Sequence, residues 1–254
     1  MDKLSVSAAV VAYNNPEEVA VCLDSLMRET KGVVLSLYVS DNSTDPEKIR
    51  ALRQEIDVRP GVTLLESRGN LGFGSGHNRV IPYLASDYHA LVNPDILLQE
   101  DALSTMAAYM ADHPDVALMM PEVLGTDGKR QYLPKKRPSW YYLIGGRLSK
   151  RIRADYCRSS EPMTEPTEIE VASGCFMLLP TALFKELGGF DERYFLYLED
   201  ADLSREAGKK GKVLFFPKAR VTHCWHRASG KSLKALKLHF QSAGKYFRKW
   251  RKRT

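Results

Sequence analysis

The 254-residue chain lacks several features that would decide its class at once. It has no run of about 18 consecutive apolar residues, the length that a membrane-spanning helix needs. No basic segment followed by an apolar one stands at its start, so no secretory signal is indicated and a cytoplasmic location is expected. Its four cysteines form no Cys-x-x-Cys pair, which argues against structural zinc and a disulfide framework. A metal site around His223, Cys224 and His226 stays open.

Acidic residues are absent from the end of the chain. Residues 223–254 hold ten Lys or Arg and no Asp or Glu, whereas residues 1–222 hold 27 basic and 31 acidic residues. A basic protein with a basic tail is one class of nucleic-acid binder. The body, however, is net acidic and has no helix-turn-helix, RRM or zinc-finger pattern. No nucleic-acid partner is therefore expected, although this class stays the alternative to an enzyme.

Strand and helix patterns alternate along the first half, which is typical of an α/β fold with a mostly parallel sheet flanked by helices. Residues 125–165 interrupt the alternation with basic, aromatic and proline residues, and are expected to form a loop excursion. The predicted strands cover residues 4–12, 33–39, 62–65, 88–92, 116–120, 168–179 and 213–216. The predicted helices cover residues 16–30, 46–56, 75–84, 101–110, 182–187 and 199–208.

Polar clusters follow three of the predicted strands. They are Ala12-Tyr13-Asn14-Asn15, Asp41-Asn42-Ser43 and Asn93-Pro94-Asp95. Turn chemistry would explain any one of them, since Asn, Asp and Pro favour turns. Ligands of open α/β sheets, however, bind beyond the carboxyl ends of the strands. Three such clusters at one sheet edge therefore indicate a ligand-binding cleft.

A glycine-rich segment lies between the second and third clusters. It reads Gly69-Asn70-Leu71-Gly72-Phe73-Gly74-Ser75-Gly76-His77-Asn78. Backbone N–H groups of such a loop can approach a phosphate closely. It is not a dinucleotide fingerprint, because His77 stands where the last glycine belongs, and it is not a Walker loop, because no Gly-Lys-Ser/Thr follows.

Acidic and aromatic residues are concentrated in one later segment. It reads Gly188-Gly189-Phe190-Asp191-Glu192-Arg193-Tyr194-Phe195-Leu196-Tyr197-Leu198-Glu199-Asp200-Ala201-Asp202-Leu203. Carboxylates among apolar rings are partly desolvated, which raises their basicity and suits proton abstraction. The alternative is an acidic helix N-terminus, in which the carboxylates complement the helix dipole.

In their order along the chain, these motifs resemble glycosyltransferase family 2, above all its bacterial rhamnosyltransferase-type members. The resemblance covers about residues 4–245. It implies the GT-A fold, inversion at the anomeric carbon, and a divalent metal cofactor, Mg²⁺ or Mn²⁺. The implied donor is dTDP-rhamnose, with a UDP-sugar (galactofuranose, glucose or N-acetylglucosamine) as the alternative. The implied acceptor is a polyprenyl-diphosphate-linked saccharide or a growing glycan, in bacterial cell-surface glycan synthesis.

The resemblance also assigns roles to residues of this chain. It implies Asp200 as general base, with Glu199 beside it. It implies Asp95, which ends the family's Asp-x-Asp motif, and His223 as metal ligands, although a structural role for His223 stays an alternative. The implied donor-binding residues are Ala12, Tyr13, Asn14, Asp41, Asn70, Gly72, Asn78, Asn93, Ser173 and Gly174.

Two of these assignments have alternatives of their own. Asn93 stands at the first acidic position of the Asp-x-Asp motif, which removes one charge and leaves a non-catalytic nucleotide binder open. The segment 172–176 resembles the family's stretch that lines the donor sugar and acceptor. It is equally consistent with a buried strand that carries a glycine bulge.

Apolar residues recur at helical spacing in the basic tail. The stripe comprises Leu233, Leu236, Phe240, Ala243, Phe247 and Trp250. A basic amphipathic helix with Trp and Phe suits an anionic membrane surface, and residues 129–153 add nine basic residues. We therefore expect a catalytic domain over 1–225 and a helical tail over 226–254, peripheral on the inner face of the membrane. The alternatives are that the stripe packs on the body or pairs two chains in a homodimer.

Overall fold

The computed structural model describes residues 3–224 and 233–251, so His226 and the predicted domain boundary at 225/226 lie outside the described part. The strands are β1 (Ser5–Ala12), β2 (Val34–Asp41), β3 (Val62–Leu65), β4 (Tyr88–Val92), β5 (Ile96–Leu98), β6 (Val116–Leu124), β7 (Thr167–Glu168), β8 (Phe176–Pro180) and β9 (Lys212–His223). The helices are α1 (Pro16–Glu29), α2 (Pro46–Asp57), α3 (Phe73–Asn78), α4 (Ala102–Asp112), α5 (Gly146–Leu148), α6 (Lys150–Tyr156), α7 (Thr181–Glu186), α8 (Glu199–Ala207) and α9 (Leu233–Arg251). A 3₁₀ turn covers Ile81–Tyr83 and a π-helical turn covers Tyr141–Gly145.

The described strands form one sheet in the order β3-β2-β1-β4-β8-β6-β9-β5, with β7 paired to β9. Neighbours β3, β2, β1 and β4 are parallel, and β6 is parallel to β9. Strand β8 is antiparallel to both β4 and β6, and therefore β6 and β9 run in the same direction as β4. The prediction of a mostly parallel sheet flanked by helices is confirmed.

Hydrophobic burial explains why the central strands and their helices form where they do. Strand β1 is buried along almost its whole length, as expected for a parallel strand covered on both faces. Helix α1 begins at Pro16, where a missing N–H costs nothing, and buries Val19, Leu23 and Leu26 completely. Helix α2 is capped by Asp45, whose carboxylate accepts a hydrogen bond from the first turn.

Three predicted boundaries differ from the structure for local reasons. The helix predicted over 75–84 divides into α3 and a 3₁₀ turn, because Pro82 has no N–H to donate. The strand predicted over 168–179 is replaced by β7 and β8, because the intervening segment leaves the sheet and contacts α8 instead. The last strand was predicted to end at residue 216. It continues past Pro217 through a register shift, and so carries His223 to the sheet edge.

The excursion over 125–165 and the C-terminal helix pack together on one flank of the body. Helix α9 buries Ala243, Tyr246 and Trp250, which accords with the alternative prediction that the stripe packs on the body. The side chains of Leu236 and Phe240 in its first half are exposed by more than a third. No helix in the described ranges is both long and apolar enough to cross a membrane.

Candidate active site

The strand directions bring the predicted motifs to one edge of the sheet. Parallel strands β1, β2 and β4 all end there, with Ala12 opposite Asp41 and Val10 opposite Val92. Antiparallel β8 begins at this edge, with Phe176 opposite Val92. Strand β9 ends there as well. The expectation that the three polar clusters share one sheet edge is therefore confirmed.

The first two polar clusters are joined by hydrogen bonds. The side-chain oxygen of Asn14 accepts from the backbone N–H groups of Thr44 and Asp45 at 3.0 and 3.1 Å. The carboxylate of Asp41 is buried and accepts from the Ser43 N–H at 2.7 Å. Half of the Tyr13 side chain is exposed beside them. The result is a rigid pocket wall with one exposed aromatic ring.

The glycine-rich loop is closed against the acidic segment at Gly72. This residue has φ of 88°, and a Cβ built there would lie 2.5 Å from the Phe195 carbonyl oxygen. The next residue, Phe73, donates its N–H to that same carbonyl at 3.0 Å. The side chains of Asn70 and Asn42 bind the Gly72 N–H and carbonyl at 3.0 and 2.9 Å. Asn70 therefore shapes this loop from within.

Asn78 makes a second link between the same two segments. Its side-chain oxygen accepts from the Phe190 N–H and its amide donates to the Phe190 carbonyl, both at 2.8 Å. The amide also lies 3.1 Å from a carboxylate oxygen of Glu192. The Asn78 side chain thus contacts other residues of the protein, and its predicted donor-binding role stays a prediction.

The two predicted catalytic carboxylates follow a strained turn. Tyr197 and Leu198 both have positive φ, 73° and 66°, a region that costs a side-chain-bearing residue of the order of 1–3 kcal/mol. Helix α8 begins immediately after them with Glu199 and Asp200. Asp200 is partly exposed, and the Gly174 N–H donates to its Oδ2 at 3.3 Å. The turn thus aims Asp200 at the predicted donor-binding segment.

Glu199 is in a different environment from its neighbour. Its side chain is buried, and Oε2 has no hydrogen-bond partner in the described part of the chain. Burial, followed by the nearby charge of Asp200, raises the pKa of Glu199 to about 8. Glu199 is therefore neutral at pH 7, and Asp200 is the more accessible carboxyl group for proton abstraction.

Sequence reasoning missed Lys135. This residue pairs through its backbone with Val171 in a two-way bridge of 3.1 Å hydrogen bonds, which brings the basic excursion next to the segment that leads to Gly174. Burial alone would lower the pKa of Lys135, but the charge of Asp200, together with those of Tyr156, Cys157 and Cys175, outweighs burial and the pKa is raised. The sequence predicts that the stretch 129–153 is part of a basic surface suited to an anionic membrane, and its spacing gives no sign that one lysine interacts with the predicted catalytic carboxylate.

The residues predicted to bind metal lie together. Nε2 of His223 is 3.1 Å from Oδ2 of Asp95, and the Cys224 N–H donates to the Asp95 carbonyl at 2.8 Å. Asn93 donates its N–H to the Cys175 carbonyl at 2.9 Å. Since Cys175 follows Gly174, which contacts Asp200, consecutive residues connect the predicted metal and catalytic positions.

The donor set fits a divalent cation. The side-chain oxygens Oδ1 of Asn93 and of Asp95 are buried without a hydrogen-bond partner in the described residues. Gln131 lies with Oε1 3.0 Å from Nδ1 of His223, which favours a proton on Nδ1 and turns the Nε2 lone pair toward Asp95. A carboxylate and an imidazole lone pair that face each other can share a cation, and oxygen and imidazole ligands suit Mg²⁺ or Mn²⁺.

The described side chains alone supply few ligands for a divalent metal ion. Within residues 3–224 and 233–251, no group of three or more His, Cys, Asp or Glu side chains is placed to hold a metal. Magnesium sites commonly use one or two carboxylates and complete their coordination with water and substrate phosphates. A nucleoside diphosphate bound at this edge would supply those oxygens.

The sheet order and the flanking helices are those of the GT-A fold. The family model of glycosyl transferase family 2 matches residues 7–188. This chain belongs to that family, and it is a glycosyltransferase.

Similarity to curated proteins points to bacterial rhamnosyltransferases. The chain is 29% identical, over 86% of its length and 75% of the relative's, to the N-acetylglucosaminyl-diphospho-decaprenol L-rhamnosyltransferase of Mycobacterium tuberculosis. It is 25% identical to rhamnosyltransferase WbbL of Escherichia coli K12, over 71% of each chain. The predicted resemblance to rhamnosyltransferase-type members is confirmed.

Solved structures show the same fold at low identity. GalNAc-T7 with UDP, GalNAc and Mn²⁺ matches 90% of this chain with a TM-score of 0.69 and 15% identity. Mannosyltransferase PcManGT from Pyrobaculum calidifontis, in complex with GDP-Man and Mn²⁺, matches 88% with a TM-score of 0.62 and 17% identity. This chain spans 45% and 57% of those two proteins, so they establish its fold alone.

Proposed function

We propose that this enzyme transfers a sugar, L-rhamnose from dTDP-rhamnose, to a lipid-linked saccharide in bacterial cell-surface glycan synthesis, with inversion at the anomeric carbon. One observation carries the proposal: Asn93, two residues before Asp95, donates its N–H to the Cys175 carbonyl, and the N–H of the preceding Gly174 donates to Asp200, so the Asp95–His223 pair lies near the Asp200 carboxylate. A diphosphate-binding group and a base, held side by side, are what sugar transfer from a nucleotide requires.

In this proposal Asp200 is the general base. Its carboxylate takes the proton of the acceptor hydroxyl while that oxygen attacks the anomeric carbon. The bond between the anomeric carbon and the donor phosphate oxygen breaks, and its electron pair leaves with the nucleoside diphosphate. Attack opposite to the leaving group inverts the configuration. Glu199, which is neutral at pH 7, adds no second negative charge beside the base.

A divalent cation would be held by Asp95 and His223, with the Asn93 side-chain oxygen beside them. When bound, it would act as a Lewis acid that neutralises charge on the leaving diphosphate. Asp41 and Tyr13 line the proposed base and ribose pocket, with Ala12 and Asn14 forming its wall. Ser173 and Gly174 would line the sugar.

The choice of donor rests on the relatives. The M. tuberculosis protein is named as an L-rhamnosyltransferase that acts on an N-acetylglucosaminyl-diphospho-lipid, and WbbL is also named as a rhamnosyltransferase. Transferred to this chain, those names favour dTDP-rhamnose and a polyprenyl-diphosphate acceptor. A UDP-sugar donor is the alternative that the first experiment separates.

That experiment is a thermal-shift panel with dTDP, UDP, GDP and CDP, each with and without Mn²⁺. A ligand at about 100 times its Kd stabilises the folded state by about 2.7 kcal/mol. A Mn²⁺-dependent shift with dTDP alone supports the rhamnose donor, and a shift with UDP moves the donor to a UDP-sugar. If no nucleotide shifts the transition, the proposed donor class is wrong.

The base is tested with Asp200→Asn, using dTDP-L-rhamnose and an N-acetylglucosaminyl-diphospho-lipid. Turnover should fall by at least about 100-fold, the usual contribution of a general base, while nucleotide binding is retained. Asp112→Asn is the matched control, because this exposed carboxylate at the end of α4 lies at the opposite sheet edge. Near-normal turnover in Asp200→Asn would exclude the base assignment.

Peripheral binding to an anionic membrane is the remaining part of the proposal. The turn and helices over 140–148 expose Tyr141, Ile144 and Leu148, the last by 84%. The Arg147 guanidinium lies 5.1 Å above the ring of Phe240, so this exposed segment and the first half of α9 form one surface. Apolar side chains among basic ones suit an interface with anionic headgroups.

Point variants test this better than removal of α9, which would expose the buried Tyr246 and Trp250. Leu148→Gln and Tyr141→Gln should weaken binding to phosphatidylglycerol vesicles without loss of nucleotide binding. Val58→Gln is the control, since Val58 is 73% exposed at the end of α2, away from this surface. Equal vesicle binding by all three variants would refute the membrane proposal.

A further inference from the structure

Asp202, the last acid of the Glu-Asp-x-Asp motif, is bound to the C-terminal helix. Its side chain is 3% exposed. Oδ1 accepts from the indole Nε1 of Trp250 at 2.8 Å and lies 3.3 Å from the Tyr194 hydroxyl, and Oδ2 accepts from Nζ of Lys249 at 2.6 Å. With both oxygens used inside the protein, Asp202 is placed for a structural contact, in contrast to the partly exposed Asp200 two residues earlier.

Lys249 joins the two sides of the strained turn. Besides Asp202, its ammonium lies 3.1 Å from Asp191, which precedes the turn, and 3.2 Å from Glu206, which follows it on α8. Only a tenth of the Lys249 side chain is exposed. Removal of this cation would leave the buried Asp202 carboxylate without the ammonium that pairs with it and would break the charged link between Asp191 and α8, with Asp191 then paired to Arg193 and Glu206 to Lys209.

Other residues of α9 contact the turn itself. The Ser242 hydroxyl donates to the Leu196 carbonyl at 2.8 Å, and the Lys245 ammonium donates to the Arg193 carbonyl. Tyr246 packs in one buried cluster with Leu198. The helix therefore contacts the segment on which the left-handed conformations of Tyr197 and Leu198 depend.

We infer that α9 is a positioning element of the active site: through Lys249, Trp250 and Ser242 it holds the strained turn in the conformation that aims Asp200. Left-handed conformations of side-chain-bearing residues persist only where surrounding contacts over-determine them. Without the α9 contacts the turn relaxes, and the carboxylate at the start of α8 moves away from Gly174. The role of Asp200 as general base rests on the proposed function. The contacts by which α9 holds the turn do not depend on that function.

The experiment compares Lys249→Met with Arg248→Met, which removes an exposed charge from the adjacent position of the same helix. Hydrogen exchange of the full chain is measured at residues 193–203. Lys249→Met should speed exchange there by about ten-fold or more, because local opening becomes easier, whereas Arg248→Met should leave it unchanged. Trp250→Phe, which keeps an aromatic ring but loses the indole donor, provides a second test if Lys249→Met does not fold.

Turnover distinguishes positioning from stability alone. With dTDP-L-rhamnose and the lipid acceptor, kcat of Lys249→Met should fall by about ten-fold to 100-fold, while the Kd for dTDP with Mn²⁺ changes by less than about two-fold. A lower Tm with unchanged kcat and unchanged exchange at 193–203 would overturn the inference. If the wild type shows no sugar transfer, the proposed function fails. The hydrogen-exchange data then still decide whether α9 holds the turn at residues 193–203.

Discussion

The imidazole Nε2 of His223 lies 3.1 Å from Oδ2 of Asp95. The pairing of β5 with β9 sets this contact, because Ile96, the residue after Asp95, stands opposite His223. Gln131 holds the other side of the ring, with its Oε1 3.0 Å from Nδ1 and its amide donating to the His223 carbonyl at 3.3 Å. Gln131 thus holds both the ring and the backbone of His223, and Nε2 of the ring is directed toward Asp95.

Gln131→Leu should weaken metal binding without removing a metal ligand. Loss of a group that orients a ligating imidazole typically costs about 10- to 100-fold in metal affinity. The measurement is a Mn²⁺ titration followed by thermal shift in the presence of dTDP. Gln54→Leu is the control, since Gln54 is exposed on α2. Unchanged Mn²⁺ affinity in Gln131→Leu would show that the ring needs no such support or that it binds no metal.

Gly72→Ala should destabilise the protein more than Gly61→Ala. Both glycines have φ near 90°, so alanine at either position costs of the order of 1–3 kcal/mol of backbone strain. At Gly72 the new Cβ would also meet the Phe195 carbonyl, whereas at Gly61 nothing lies within 4 Å. Urea unfolding measures the two losses, and nucleotide binding should fall only in Gly72→Ala. Equal losses in both variants would contradict the close packing of the two motifs.

Glu199→Gln should change how stability depends on pH. The folded-state pKa of Glu199 is raised to about 8 from an unfolded value of 4.5, so between these values the folded state keeps a proton that the unfolded state has lost. The free energy of unfolding then falls as pH rises, by up to about 1.4 kcal/mol per pH unit. The variant should lose this slope in unfolding curves recorded between about pH 5 and 8. An identical slope in both proteins would show that Glu199 is not held neutral.

His77 gives the opposite dependence in acid. Burial, with a smaller effect of His89, lowers the pKa of His77 to about 3 from 6.5, so below pH 6.5 the unfolded chain gains a proton that the folded chain does not. Stability therefore falls as pH drops, by up to about 1.4 kcal/mol per pH unit. His77→Leu should be less sensitive to acid in unfolding curves between about pH 4 and 6. Equal acid sensitivity of His77→Leu and the wild type would show that His77 is not held neutral in the folded state.

The sequence was sufficient to predict those strands and helices that are determined by neighbouring residues. Hydrophobic alternation, Pro16 at the start of α1 and polar residues after buried strands identified β1, α1, β2 and β4 to within a residue or two. The parallel order of the first strands followed from their alternation with helices. Because parallel strands all end at one edge, the sequence alone assigns the polar clusters to a common cleft.

The role of residues in the excursion could not be read in this way. Gln131 and Lys135 lie in a stretch whose composition is that of a solvated basic loop. Their positions depend on contacts with His223 and on a bridge to Val171, both distant along the chain. The missed strand β5 has only three residues, too few for a periodic pattern, yet it sets the contact between His223 and Asp95.

What the sequence by itself determined is the set of chemical groups and the sheet edge to which they belong, because hydrophobic periodicity and turn chemistry act over neighbouring residues. Only the tertiary structure decided the different environments of the three acids in the Glu-Asp-x-Asp motif. Glu199 is buried and neutral, Asp200 is partly exposed beside Gly174, and Asp202 is bound to Trp250. Desolvation and charge pairing set these differences, and both depend on segments that meet only when the chain folds.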